Sequence, residues 1–128
     1  MTIFGIGTDL CEVSRIERVY AKYGEHFVNR LLMPEEREQF ERTKRKVRFL
    51  AMHFAAKEAI VKAMGTGFRQ GIWIRDVGFI QESSGKPVPI FSGNARRKCD
   101  ELGAGEGFVS LTDEAGMVAA FAVLLRKA

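Results

Sequence analysis

Hydrophobic and polar positions change their period several times along the chain, and each change marks a predicted element. Residues 3–10 alternate as a strand, with Ile3, Gly5, Gly7 and Asp9 on one face and Phe4, Ile6, Thr8 and Leu10 on the other. The second face is apolar and the first is nearly bare. Two glycines expose backbone where something must approach closely, and Asp9 stands at the far end of that bare strip. From Val13 to Tyr23 the period turns helical: Val13, Ile16, Val19 and Tyr20 lie on one side, Arg15, Arg18 and Lys22 on the other, until Gly24 stops the pattern. A short apolar turn around Phe27, Leu31 and Leu32 leads to Pro34-Glu35-Glu36. Proline at a first helical position with acids in the first turn predicts a helix to about Thr43.

The segment Val47 to Met64 carries the most information. At about 100° per residue, Phe49, Leu50, Met52, Phe54, Ile60, Val61 and Met64 cover most of the helix circumference, which predicts a central, buried helix. One narrow stripe differs: Glu58 and Lys62 lie four apart, flanked by Ala51 and Ala55. That stripe reads either as a ligand-facing site, with the small residues leaving room, or as an ordinary Glu-to-Lys pair. Asp9 has two readings of the same kind, a site carboxylate or the opener of a turn or helix. Gly65-Thr66-Gly67-Phe68-Arg69-Gln70-Gly71 is a glycine-rich helix exit without the ending of a nucleotide P-loop. Ile72 to Glu82 then reads as a strand, residues 83–87 as a turn and Val88 to Phe91 as the returning strand. Asn94 caps a helix that runs through Leu102 to Gly103, and strands follow at Gly107 to Leu111 and Met117 to Leu125 around a turn at residues 113–116. The uneven order, with hairpins in the second half, predicts an α+β fold: an antiparallel sheet packed with helices, one of them long and central.

Composition narrows the class. At 128 residues the chain fits a single domain over 1–128, and 46% hydrophobic residues with 10 Phe supply a sizeable core. Cys11 and Cys99 form neither a zinc pattern nor a disulfide framework, which suits a reducing compartment. No basic, apolar leader opens the chain at Met1-Thr2-Ile3-Phe4-Gly5, and no apolar run reaches the roughly 18 residues of a membrane span, so no membrane partner and a cytoplasmic location are expected. A net charge of +4 favours an acidic partner. The cluster from Arg42 to Arg48 reads as a solvated junction between helices; no aromatics interleave it, which argues against a nucleic-acid partner.

Three segments in order resemble the short, bacterial holo-acyl-carrier-protein synthases among the phosphopantetheinyl transferases. They are Gly5-Ile6-Gly7-Thr8-Asp9 with Arg15; Arg48-Phe49-Leu50-Ala51 running into Phe54-Ala55-Ala56-Lys57-Glu58-Ala59; and Lys62-Ala63 before Gly65-Thr66-Gly67. The likeness continues through Gly85-Lys86-Pro87 and Val109-Ser110-Leu111-Thr112-Asp113-Glu114, so it spans essentially the whole chain. The resemblance implies transfer of the phosphopantetheine arm of coenzyme A to a serine of an acyl carrier protein, in fatty acid biosynthesis. It implies Asp9 and Glu58 as magnesium ligands and Glu58 and Lys62 as catalytic groups. For coenzyme A it implies His53, Lys62, Gly65, Gly67, Lys86, Pro87, Ser110 and Thr112, and for the carrier protein a basic face at Arg15, Arg18 and Lys22. It also implies a homotrimer with active sites between subunits.

Two positions depart from that family's pattern. His53 stands where relatives usually carry Arg, and Phe108 stands where many carry His. On the helix wheel His53 falls among Phe49, Ile60 and Met64, so it reads either as a neutral core histidine or as a phosphate contact. The rival functional readings are a non-catalytic coenzyme A or nucleotide-binding module and a basic nucleic-acid-binding domain. Acids placed beside phosphates speak against the second.

Overall fold

The computed structural model describes residues 2–128. Met1, with which the N-terminal stretch begins, lies outside them. Strand β1 (Ile3–Glu12) leads directly into α1 (Val13–Tyr23), followed by α2 (Glu25–Leu31), α3 (Pro34–Arg42) and the long α4 (Lys46–Met64). A 3-10 turn (Ile74–Asp76), β2 (Val77–Gln81), β3 (Pro87–Phe91), α5 (Gly93–Leu102), β4 (Ala104–Glu114) and β5 (Met117–Arg126) complete the chain. The strands form two antiparallel sheets, a three-stranded one ordered β1-β5-β4 and the β2–β3 hairpin. The class is α+β, with the expected single sheet divided in two.

Helix α4 lies against β1 and β5, and the glycines of β1 explain how. A Cβ on Gly5 would overlap the Ala63 carbonyl, and one on Gly7 would overlap the carbonyl of Ala59. The bare strip of β1 therefore receives the backbone of α4 itself, closer than any side chain allows. The apolar face, which alternation alone would place in the core, points outward: Ile6 is 58% and Leu10 66% exposed. Register aligns that outer face in rows, Ile6–Val123–Phe108, then Thr8–Phe121–Ser110, then Leu10–Ala119–Thr112. The β4–β5 hairpin turns on Ala115 and Gly116, both at positive φ, the left-handed pair that matches strand twist.

Two local expectations are corrected. The strand expected from Ile72 begins only at Val77, because Asp76 closes a turn: its Oδ2 accepts from the Trp73 amide at 2.8 Å and its own amide donates to the Trp73 carbonyl at 2.9 Å. Helix α5 is capped by Ser92, whose Oγ accepts from the Ala95 amide at 3.1 Å. Asn94 instead donates to the Gly71 carbonyl at 2.8 Å and to Asp76 at 3.1 Å, tying the glycine-rich loop to α5.

Candidate active site

Asp9 sits near the end of β1 and Glu58 on the helix packed against it, so the close strand–helix contact brings two carboxylates from separate segments together. Lys62, one turn beyond Glu58, places its Nζ 3.5 Å from Asp9 Oδ1 and donates to the Thr8 carbonyl at 2.9 Å. Arg15 lies 5.5 Å over the Phe54 ring and adds positive charge near both acids. Burial raises the Asp9 carboxyl above its ordinary value, against the pull of Lys62 and Arg15. Burial also raises Glu58, and the neighbouring charge of Asp9 raises it further. Two acids that resist ionising side by side are suited to a bound cation.

The donor set fits a hard divalent ion. Among the described residues no group of three or more acid, histidine or cysteine side chains gathers. A cation held by Asp9 and Glu58 alone would complete its shell with water and substrate phosphate, which is how magnesium is usually bound. Ala51 and Ala55, expected to leave room beside Glu58, are fully buried against the protein, so the open side of the site lies elsewhere.

That open side is a groove of about 430 Å³ lined by Asp9, Lys62, Ser110, Thr112 and Phe121. A second groove, about 280 Å³, runs past Arg45, Arg48, Phe49, Met52, Gly85, Pro87 and Ser110, with His53 at its edge. Ser110 lines both. Arg48, placed by the sequence in a solvated junction, is held by Asp113 through a two-pronged pair at 2.9 and 3.0 Å and so presents a fixed cation to this groove. Gly65, Gly67 and Lys86 line neither groove, and Gly65 serves as the left-handed cap of α4. Arg18 and Lys22 are exposed on α1, away from the acids. A larger depression, about 640 Å³, runs along Arg30, Glu35, Trp73 and Arg75, and none of Asp9, Glu58 and Lys62 lines it.

His53 is not a phosphate contact. It is 2% exposed, stacked between the rings of Phe49 and Phe79 with centroids 3.9 Å away on each side, and its Nδ1 lies 2.5 Å from Glu36 Oε2. Burial pushes its pKa below the usual histidine value despite that carboxylate, so it sits neutral, with its Nδ1 proton donated to Glu36. Sequence reasoning missed the rest of this buried group. Lys57 is fully enclosed, its Nζ 2.5 Å from Glu36 Oε1 and 2.6 Å from the Val77 carbonyl. Burial alone would raise Glu36, yet His53 and Lys57 together hold it ionised and below the usual carboxylate value. The available signal was a lysine standing outside the Glu58–Lys62 stripe, on a helix whose apolar residues cover most of its circumference.

Phe108 is 42% exposed on the outer sheet face beside Val123, and its ring can neither donate nor accept a proton.

A sequence model of the 4'-phosphopantetheinyl transferase superfamily matches residues 5–121. The chain belongs to this superfamily. Among relatives of the transferase, the holo-[acyl-carrier-protein] synthase of Vibrio cholerae serotype O1 (strain M66-2) is 41% identical over 125 residues, 98% of this chain and 99% of the relative. The crystal structure of holo-[acyl-carrier-protein] synthase from Neisseria meningitidis superposes with a TM-score of 0.92 at 38% identity, covering 98% of this chain and all of that one. The Bacillus anthracis str. Ames synthase, solved in complex with CoA (3',5'-ADP), superposes with a TM-score of 0.79 at 30% identity, with 100% of both chains covered.

Proposed function

We propose that the chain acts as a holo-[acyl-carrier-protein] synthase. It transfers phosphopantetheine from coenzyme A to a serine of an apo acyl carrier protein, and 3',5'-ADP leaves. The observation that carries this reading is the pairing of Asp9 with Lys62 in the 430 Å³ groove, with the Glu58 carboxylate near enough to Asp9 to feel its charge, in a chain of this superfamily.

Asp9 and Glu58 would hold a magnesium ion, which when bound supplies charge neutralisation at the phosphates and acidifies coordinated water. Glu58 would take the proton of the carrier serine, directly or through a water, as the serine oxygen bonds to the phosphorus next to pantetheine. The bond from that phosphorus to the bridging oxygen breaks, and the electron pair leaves on 3',5'-ADP. Lys62 offsets negative charge on the phosphoryl oxygens, from an ammonium already oriented by the Thr8 carbonyl. Arg45 and Arg48, beside Phe49, Met52 and Pro87, suit a phosphorylated heterocycle in the second groove. Thr112 and Ser110 offer hydroxyls in the first. Arg15, Arg18 and Lys22 form the basic face for an acidic carrier protein, and Arg15 joins that face to the acids.

A homotrimer with sites between subunits is supported by the uncovered Ile6, Leu10, Phe108 and Phe121 side chains of the outer sheet face, which a monomer would leave in water. Treating the chain as one transferase domain rests on one continuous buried cluster. No helix among the described residues is long and apolar enough to cross a membrane. Two buried free cysteines, Cys11 and Cys99, suit the reducing cytoplasm.

Mass spectrometry of an apo carrier protein incubated with coenzyme A, magnesium and this protein tests the reading. The carrier should gain one phosphopantetheine, EDTA should abolish the gain and magnesium should restore it. Coenzyme A binding without any transfer would leave a binding module in its place.

A further inference from the structure

We infer that the buried Glu36–Lys57–His53 network is the rotational key of α4: these are positioning residues that aim Glu58 at Asp9. The inference rests on the reading of Asp9 and Glu58 as the metal-binding and catalytic pair.

The need for a key follows from the helix itself. A surface helix takes its rotation from the contrast between an apolar and a polar face, and α4 lacks that contrast. Leu50, Met52, Ala56, Ile60, Val61 and Met64 are buried on different sides of it. Contact with β1 through Ala59 and Ala63 sets how closely the helix approaches and turns its small-residue face to the strand, and polar contacts on the far side add a second constraint on turning. Buried polar groups resist it strongly, because a wrong rotation strands them without partners.

The network has the required geometry. Glu36, in the first turn of α3, accepts four hydrogen bonds: from the Met33 amide at 2.9 Å, the Phe79 amide at 3.2 Å, Lys57 Nζ at 2.5 Å and His53 Nδ1 at 2.5 Å. Two of these donors are fixed backbone of the α3 entry and β2; the other two are side chains of α4, four residues apart on one face. Strand β2 is shaped for the carboxylate: a Cβ on Gly78 would overlap it, while Val77 supplies the second acceptor for Lys57 and Phe79 the ring over His53. Glu58 follows Lys57 directly, about 100° further round the helix. Locking Lys57 onto α3 and β2 therefore locks the direction of Glu58. Buried ion pairs seldom add net stability over well-packed apolar replacements, so specification of geometry is the role that fits this one.

The test is the double variant Glu36→Gln/Lys57→Met, which removes both charges; the single amide oxygen introduced on α3 can accept from the Met33 N–H while its NH2 group donates to the other tautomer of His53, leaving the Phe79 N–H and the Val77 carbonyl without their partners. Three quantities are compared with the parent: melting temperature, kcat with KM for coenzyme A, and the Kd for magnesium alone by calorimetry. The expected result is a chain that still melts cooperatively, somewhat below the parent because the Phe79 N–H and the Val77 carbonyl lose their partners, with kcat lowered tenfold or more, KM for coenzyme A within about twofold, and a magnesium Kd raised severalfold. Parent-like kcat and magnesium Kd overturn the proposal, provided that Glu58→Gln, assayed alongside, is inactive. An active Glu58→Gln would instead remove the functional reading beneath it. Should the double variant not fold, Lys57→Arg decides. It keeps the charge, but its broader guanidinium does not fit a fully enclosed ammonium site without displacing Glu36 or the Val77 carbonyl, so the same split between kcat and KM is expected, and parent-like kinetics overturn the proposal.

Discussion

At the scale of single residues, the site makes separable demands on its members. Glu58→Gln removes the proposed proton acceptor and one proposed cation ligand, and kcat should fall roughly 10²–10⁴-fold while circular dichroism stays native. Lys62→Ala should lower kcat about 10²-fold with a smaller change in coenzyme A affinity, because charge on the phosphoryl oxygens peaks in the transition state; an unchanged kcat would remove Lys62 from catalysis. His53 predicts a pH effect on stability. Its folded pKa lies below the ordinary 6.5, so between the two values the unfolded chain binds a proton that the folded one excludes. Stability should therefore fall as pH drops from about 6.5 toward the folded value. Glu36, held low by His53 and Lys57, adds a further loss at more acid pH, below its ordinary 4.5. Denaturant midpoints from about pH 8 to 5 should decline below 6.5 in the parent and decline less in His53→Asn. Equal slopes would place the effect on another group. Asp9 and the Glu58–Lys62 stripe each had two readings from spacing alone, and only the family resemblance joined them into one proposed site. The role of Lys57 was not legible, because its partner Glu36 lies in another helix and looked, by local rules, like a first-turn acid serving the helix dipole.

At the scale of elements, the contact of β1 with α4 governs both stability and geometry. Gly7→Ala must push the Ala59 carbonyl away, which should destabilise the fold by roughly 1–3 kcal/mol or more and weaken magnesium binding together with it. A variant with parent-like stability and metal affinity would show that the contact has slack. Helix ends were readable because their punctuation is local: Gly24, Gly65 and Gly103 all stop helices at positive φ. The segment from Ile72 was misread because its apolar residues continue a strand-like pattern, while the deciding interactions come from the Asp76 side chain and from Ser92, 16 residues away. The outward turn of the apolar face of β1 was also beyond local reading. Alternation tells which residues share a face, and only the partner helix tells which face is covered.

At the scale of the whole molecule, charge and apolar surface divide the work of recognition. Arg15→Glu should raise the KM for carrier protein and leave that for coenzyme A nearly unchanged. Added salt should weaken the same step, since exposed charges are screened beyond a Debye length of about 8 Å. If carrier affinity ignores both, this face is only solvated. Phe121→Glu places a charge in the middle row of the outer sheet, so light scattering should report a smaller particle than the parent, with native circular dichroism. An unchanged mass would mean that subunits meet elsewhere. The family, the α+β class and the order of elements could all be read from the sequence, because motifs in fixed order leave few topologies. The division of the strands into two sheets could not, because strand pairing is decided by contacts distant in sequence.

The outer rows of β1, β5 and β4 also bear on how the protein behaves on dilution. Ser110 belongs to both the row through Thr8 and Phe121 and the two grooves, so the surface that would join subunits and the surface that would bind substrate share residues. Association and ligand binding are then thermodynamically linked. Specific activity should decrease as the protein is diluted below the dissociation constant of its assembly, and coenzyme A in the diluent should protect against that loss. The melting temperature should climb with protein concentration for the same reason. A cell that makes little of this chain would thus run the reaction less efficiently per molecule, with substrate supply partly restoring the missing copies.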